Sequence, residues 1–366
     1  MKIAIDVHTL GSRAGGNETY FRQLLQGLAA DKTANQYVLF HTSSAPAPGP
    51  ADDQRFSLVP VPKNSIARVC FSLPLAVRRA KPDIFHGQYV RPFIGKIKTV
   101  ISIHDLAYEH FPEHFPPLQA LRLRKLTPIA ARSADHILTI SNFCADDISQ
   151  RYGVPREKIT VAYPCASSDF QPRDKQVCQE HLARKYRIAS PFILYVGRIQ
   201  GRKNLPALVN AFAKIRKQGC NTQLVIVGKR DWQFERLFAS IRELGLSDAV
   251  VSPGYVVSED LPLFYNAAEL FVFPSFFEGF GLPLVESMAS GVATVTSYGS
   301  ALEEVAGDGA LLVDPRSVDA IAGAMRRILE DEGLRRQLVT RGLRRSAEFK
   351  SGELAAKALS VYRSLA

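Results

Sequence analysis

The chain has 366 residues, more than one hydrophobic core accommodates, so length argues for two domains. Apolar residues make up 46% and charged residues 22%, ordinary globular usage that excludes disorder, and no apolar run approaches ~18 residues, which excludes a spanning helix. The formal net charge of +11 favours anionic partners, and residues 1–168, with 20 basic and 13 acidic side chains, carry the larger share of it.

Met1-Lys2 runs straight into Ile3-Ala4-Ile5, too short an apolar stretch for a signal peptide, so a cytoplasmic location is expected. Five cysteines, Cys70, Cys144, Cys165, Cys178 and Cys220, are odd in number and scattered without a C-x-x-C pair. They are expected to be reduced and mostly buried.

Short β-branched runs alternate with helical patterns, which predicts α/β domains built on parallel sheets. Ile3–Val7 reads as a buried strand that ends in Gly11-Ser12-Arg13-Ala14-Gly15-Gly16, before helical Thr19–Leu28. Further strands are expected at Tyr37–His41, Ile84–His86, Thr99–Ile103 and His136–Ile140, so the first domain looks doubly wound. Between the last two, Pro117–Arg132 interleaves Leu118, Leu121, Leu123, Leu126 and Ile129 with Arg122, Arg124, Lys125 and Arg132. Either this helix lies on an anionic leaflet, or it packs its leucines on the sheet; Pro128 should interrupt it, and Leu121 and Leu123 do not share a face. The basic excess of the first half favours a reversible contact with anionic lipid at the inner face of the membrane.

After Tyr163-Pro164 a polar stretch through Asp174 reads as a linker, and a second series of strands follows. These are expected at Phe192–Val196, Gln223–Val227, Val250–Ser252, Leu270–Phe273 and Ala293–Thr296, with Gly197 and Gly228 directly after two of them. Tandem domains of this kind are expected to enclose a cleft at the carboxyl ends of their sheets. Phe349–Ala366 reads as a final amphipathic helix.

Four segments at strand ends carry the chemistry. In Pro274–Gly291 a strand gives way to a loop with Gly279 and Gly281, and a helix starts near Pro283. The backbone N–H groups of Gly281 and Leu282 then sit at a helix N-terminus, an anion site suited to a diphosphate. Glu286, expected in the first helical turn, offers two oxygens to a vicinal diol such as a ribose, and Glu278 lies on the other side of the same phosphate position. That both glutamates merely favour the helix dipole and solvent leaves the two glycines and Pro283 unexplained.

In Tyr195–Leu205, Arg198 and Lys203 can reach a diphosphate and neutralise charge as it leaves, the task Mg²⁺ performs elsewhere; Arg202 beside them reads as a solvated loop cation. No metal-ligand cluster and no cofactor are expected. Gly15-Gly16 opens towards a helix, but neither G-x-G-x-x-G nor a P-loop is present. Ile103-His104-Asp105-Leu106 leaves two readings open, a packed His–Asp hydrogen-bonded pair and a catalytic histidine.

Taken together these segments resemble the retaining glycosyltransferases of family four, with their GT-B architecture of two Rossmann-like domains. The resemblance runs through nearly the whole chain. Its most specific element is E-x7-E, Glu278 and Glu286 around Phe280-Gly281-Leu282-Pro283; the Gly197–Asn204 loop, Gly254-Tyr255-Val256 and Ile140-Ser141 accompany it. The resemblance implies an acceptor-binding domain over 1–168, a nucleotide-sugar-binding domain over 169–348, and a helix over 349–366 that crosses back to the first domain.

It further implies that Arg198 and Lys203 bind the donor diphosphate, Glu286 the ribose, and Glu278 with Phe280, Gly281 and Leu282 the donor sugar and phosphate. His104 would lie near the transferred sugar, Gly16 near the phosphate, and Tyr255 and Val256 near the base. Glu278, His104, Arg198 and Lys203 form the expected catalytic set. The implied reaction is metal-independent hexosyl transfer with retention, mannosyl from GDP-mannose ahead of a UDP-sugar, onto a glycan or lipid-linked glycan. The sequence departs from the family where Gly352 follows Phe349-Lys350-Ser351 in place of an aromatic residue.

Two other readings share these features, a hydrolysing nucleotide-sugar epimerase and a non-catalytic nucleotide-sugar-binding protein. The first needs more acid/base residues than the sequence offers, and the second leaves Glu278, Glu286, Arg198 and Lys203 without a task. Nucleic acid is excluded as a partner because the basic residues are dispersed and lack interleaved aromatics.

Overall fold

Runs in which nearly every side chain is apolar suit a sheet covered on both faces, and those of this chain become parallel strands. The computed structural model describes residues 1–12, 15–42, 53–189, 191–229 and 234–366. They divide into two compact units, Met1–Pro164 with Lys350–Ala366, and Cys165–Phe349.

The first unit holds β1 (Lys2–Asp6), β2 (Gln36–His41), β3 (Phe56–Pro60), β4 (Ile84–Gln88), β5 (Lys98–Ser102), β6 (His136–Thr139) and β7 (Ile159–Val161). They form one sheet in the order β3-β2-β1-β4-β5-β6-β7, every pair parallel. The chain reverses direction of winding between β1 and β4, which opens a crevice at their carboxyl ends. All five residues of β4 are buried, whereas β3 lies at the edge with most of its side chains partly or fully exposed. That pattern, and the three residues of β7, explain why neither strand is legible as an apolar run.

The helix Gly16–Ala30 lies against the last helix, Glu353–Leu365, and Gly27 permits the contact: a Cβ there would stand 2.4 Å from Cβ of Ala355. Leu354, Ala355, Leu359 and Tyr362 join Ile3, Ile5, Leu24 and Leu28 in one core. Burial of Leu354 and Leu359 alone contributes roughly 3–6 kcal/mol to holding this helix on the first unit. Gly352, the residue that departs from the family pattern, adopts φ 84° as the cap of this helix, a left-handed conformation that glycine takes without strain.

The helix Pro117–Ser133 passes through Pro128 without a break, contrary to the sequence expectation. Its buried side, Ala120, Leu123, Thr127, Ala130 and Ala131, continues across the proline, so packing carries the helix where propensity does not. Leu123 packs inward, while Leu118, Leu121, Leu126 and Ile129 are exposed by 78%, 55%, 36% and 61%. Among the described residues no helix is long and apolar enough to cross a membrane. All five cysteines are free thiols, with Cys144, Cys165 and Cys178 buried.

The second unit holds β8 (Phe192–Val196), β9 (Gln223–Val227), β10 (Val250–Gly254), β11 (Leu270–Phe273), β12 (Thr294–Ser297) and β13 (Leu311–Val313). Their order is β10-β9-β8-β11-β12-β13, again parallel throughout. The winding reverses between β8 and β11, and the two most distinctive sequence segments leave the carboxyl ends of those two strands.

Candidate active site

β8 hands over to Gly197, and the loop that follows ends in a 3-10 turn, Gly201–Lys203. Asn204 then anchors it: its Nδ2 donates to the carbonyls of Pro274, at 3.1 Å, and Pro315, at 2.6 Å. Because Pro274 directly follows β11, this fastens the basic loop to the loop that carries Glu278.

Glu278 is 6% exposed and held by two cations. Lys203 Nζ pairs with its Oε1, and Arg202 Nη1 donates to its Oε2 at 3.0 Å and to the carbonyl of Phe277 at 2.9 Å. Lys203 Nζ also lies 5.0 Å from the centre of the Phe273 ring. Burial raises the carboxyl pKa, but the charges of Lys203 and Arg202 more than reverse this and hold it down to about 2. Glu278 is therefore ionised, within a cluster of two cations and one anion that retains a positive excess.

Gly281 has φ 95° and caps the helix Leu282–Ala289 without a side chain; a Cβ there would meet Cδ2 of Leu302 at 2.5 Å. Pro283 lies in the first turn, as expected, but Glu286 does not: it falls one turn later, because the helix already begins at Leu282. There it accepts a hydrogen bond at 2.9 Å from the hydroxyl of fully buried Tyr265. Burial pushes the Glu286 carboxyl up to about 7, with the Tyr265 bond offsetting part of the rise. Two glutamates eight positions apart thus have opposite electrostatic settings.

Phe280 is buried and meets Phe349 edge-on, with ring centres 5.2 Å apart. Arg198 is exposed, and its carbonyl accepts from the Tyr195 hydroxyl at 3.2 Å. Beyond β10, Tyr255 is 59% exposed and Val256 is buried. The structure therefore brings Lys203, Glu278 and the Gly281-capped helix together, adds Tyr265 to Glu286, and corrects the reading of Arg202, which is an ion-pair partner of Glu278 and not a solvated cation. Only proximity across 76 residues reveals that role.

In the first unit, Gly16 opens the helix Gly16–Ala30 and is exposed; Arg13 and Ala14 of the preceding turn lie outside the described residues. His104 is 3% exposed, with Nδ1 2.8 Å from Oδ1 of Asn17 and its ring 4.3 Å from that of Tyr20. Asp105 is not its partner; that carboxylate accepts from the backbone N–H of Ala107 at 3.0 Å. Burial, with a further contribution from His86, lowers the His104 pKa to about 3, so the ring is neutral. Its buried Nε2 has no hydrogen-bond partner among the described residues.

The sequence profile of Glycosyltransferase Family 4 matches residues 14–170, and that of Glycosyl transferases group 1 matches residues 179–345. O-antigen chain mannosyltransferase B of Escherichia coli is 32% identical over 292 residues, 79% of this chain and 76% of the relative. The serotype-specific mannosyltransferase WbdA of Escherichia coli is 31% identical over 261 residues, 69% of this chain; that region spans only 32% of the relative's length. Among solved structures, sucrose-phosphate synthase from Thermosynechococcus elongatus superposes with a TM-score of 0.79 at 23% identity, covering 100% of this chain and 99% of the other. The paired parallel sheets thus have the GT-B fold, and with both halves matched in order the chain belongs to the group 1 glycosyltransferases of family four, enzymes that transfer a sugar.

Proposed function

We propose that this enzyme transfers a mannosyl group from GDP-mannose, with retention of anomeric configuration and without a divalent metal, to a glycan or lipid-linked glycan. The observation that carries the reading is the Glu278 cluster: a buried carboxylate paired with Lys203 and Arg202 beside a glycine-capped helix N-terminus. Such a site can hold a sugar hydroxyl on the carboxylate and a diphosphate on the cations and backbone N–H groups. Lys203 and Arg198 would bind the diphosphate, Glu286 the ribose, and Tyr255 and Val256 the base. The lean to mannose draws on the mannosyltransferase relatives.

In the proposed reaction the bond between sugar C1 and the β-phosphate oxygen breaks, the acceptor hydroxyl oxygen bonds to C1 on the same face, and its proton passes to the departing phosphate. Positive charge at Lys203 and Arg198 stabilises the diphosphate as its charge grows. The exposed apolar row Leu118, Leu121, Leu126 and Ile129, with Arg124 and Lys125 beside it, supports a peripheral contact with an anionic inner leaflet.

A thermal-shift screen against GDP-, UDP- and ADP-sugars tests the donor, since a ligand at ~100 times its Kd stabilises by roughly 2.7 kcal/mol. The expected result is a shift with GDP-mannose and, by NMR of the product, an α-mannoside. A shift confined to UDP-sugars, or a β-linked product, would overturn the donor or the stereochemistry.

A further inference from the structure

We propose that the groove between β3 and the helix Leu73–Ala80, in the first unit, binds the hydrocarbon chain of an anionic lipid, with the headgroup held by Lys2 and Arg79. The inference goes beyond the proposed function, because no residue lining the groove belongs to the proposed donor site.

The packing of the helix leaves the groove open. Leu73 and Val77 are buried against Ala4, Val38, Phe40 and Phe85, side chains of β1, β2 and β4. The helix is therefore centred on inner strands, and the edge strand β3 is left short of cover, with Ser57 exposed and Val59 half-buried. Between these residues and Leu75 and Ala76 lies a groove of about 520 Å³, within the ~300–1,000 Å³ range of small-ligand sites. It runs along β3, whose five residues span roughly 17 Å.

The walls suit hydrocarbon better than polar ligands. Val38, Val59, Val61, Leu75 and Ala76 are apolar, and both serines of the lining have committed their hydroxyl protons. Ser57 Oγ donates to the carbonyl of Tyr37 at 3.3 Å, and Ser72 Oγ to that of Ala67 at 3.3 Å. A sugar, with hydroxyls around its ring, finds few partners there. A peptide strand added to the free edge of β3 would meet Pro60, which has no N–H to share. Leu75 is 50% exposed, and Phe71, four positions earlier and 72% exposed, extends the apolar surface beyond the groove.

Charge selects the headgroup. Lys2 and Arg79 are the only charged residues of the lining, and both are positive. They share one end of the groove. The backbone N–H of Lys2 donates to the Asp83 carboxylate at 2.7 Å, and its carbonyl accepts from the Asp83 N–H at 2.8 Å, which places the start of β1 beside the end of the helix that carries Arg79. An anionic head at that end, with its chain along β3 towards Leu75, satisfies the cations and the apolar walls together. That end is the amino edge of the sheet, opposite the crevice at the carboxyl ends of β1 and β4. The ligand is therefore a lipid that anchors the first unit, and not the reacting part of an acceptor.

The test is isothermal titration calorimetry of the full chain with dodecyl phosphate and dodecyltrimethylammonium, both kept monomeric, and with inorganic phosphate. We expect dodecyl phosphate to bind the wild type, and the cationic amphiphile to bind on the order of tenfold more weakly. Ser57→Phe, which fills the groove from an exposed position, should weaken dodecyl phosphate on the order of tenfold, and Arg79→Gln about threefold. Arg79→Gln serves if Ser57→Phe fails to fold. No binding to the wild type, undiminished binding to folded Ser57→Phe, equal binding of the two amphiphiles, or displacement by inorganic phosphate would each overturn the groove as a lipid site. A dimer in sedimentation velocity that Ser57→Phe dissociates would assign the groove to a second copy instead. Arg124→Gln with Lys125→Gln should leave dodecyl phosphate binding unchanged; a loss there would place the chain on the helix Pro117–Ser133 and overturn the groove.

Discussion

Replacing Glu286 by glutamine separates what this carboxyl costs the fold from what it gives the ligand. Burial lifts its pKa from 4.5 to about 7, so the folded protein holds the proton more tightly than the unfolded chain. A group with a raised folded pKa contributes stability that is complete below about 4.5 and is lost as pH rises through about 7. That gap corresponds to roughly 2–3 kcal/mol, allowing for the solvent a half-buried carboxyl keeps. Glutamine lacks the titration. The stability difference between wild type and Glu286→Gln, from urea unfolding at pH 5, 6, 7 and 8, should therefore shift against the wild type by that amount across the series, while all other titrations cancel. If the ribose binds the ionised carboxylate, nucleotide affinity of the wild type should also rise about tenfold between pH 6 and 8, and that of the variant should stay flat. Parallel stability profiles for the two proteins would refute the burial argument itself.

Lys203→Ala and Arg198→Ala should each lower kcat by about a hundredfold or more, by analogy with loss of one oxyanion donor. Only Lys203→Ala should also lower Tm, because it strips a cation from buried Glu278 whereas Arg198 is exposed; near-full activity in either variant removes that residue from the diphosphate. Activity should persist in excess EDTA, and a loss restored by Mn²⁺ or Mg²⁺ would show that the two cations do not suffice. Co-sedimentation with anionic vesicles should appear at low salt, weaken as salt rises, and disappear when Arg122, Arg124 and Lys125 become glutamine; equal binding to neutral vesicles would exclude the electrostatic contact.

The sheets were legible wherever burial on both faces demanded continuous apolar runs, as in Phe192–Val196 and Gln223–Val227, whose bounds match the expected ones. Edge strands escape that reading because only one side must be apolar: β3 exposes Ser57 and Leu58, and Pro60 ends it. The proline rule failed at Pro128 for the complementary reason. A single lost backbone bond is outweighed when the buried side of the helix continues beyond it through Ala130 and Ala131.

The chemistry was legible only in part, since residue type and spacing mark a site but not the charge state of its members. Glu278 and Glu286 look alike in the sequence, yet one is ionised by cations 75 and 76 positions upstream and the other is kept protonated at mildly acidic pH beside Tyr265. The difference bears on the proposed mechanism. Lys203 already lies in a buried site, 8% exposed, because Glu278 compensates its charge there. A diphosphate arriving beside it would meet a cation whose water has been removed during folding, so its field can act on the leaving group without reorganisation at the moment of transfer. A lysine on a solvated loop would bind the same diphosphate but contribute far less to the rate, which is why the Glu278–Lys203 pair, rather than the count of basic residues, is the feature to perturb.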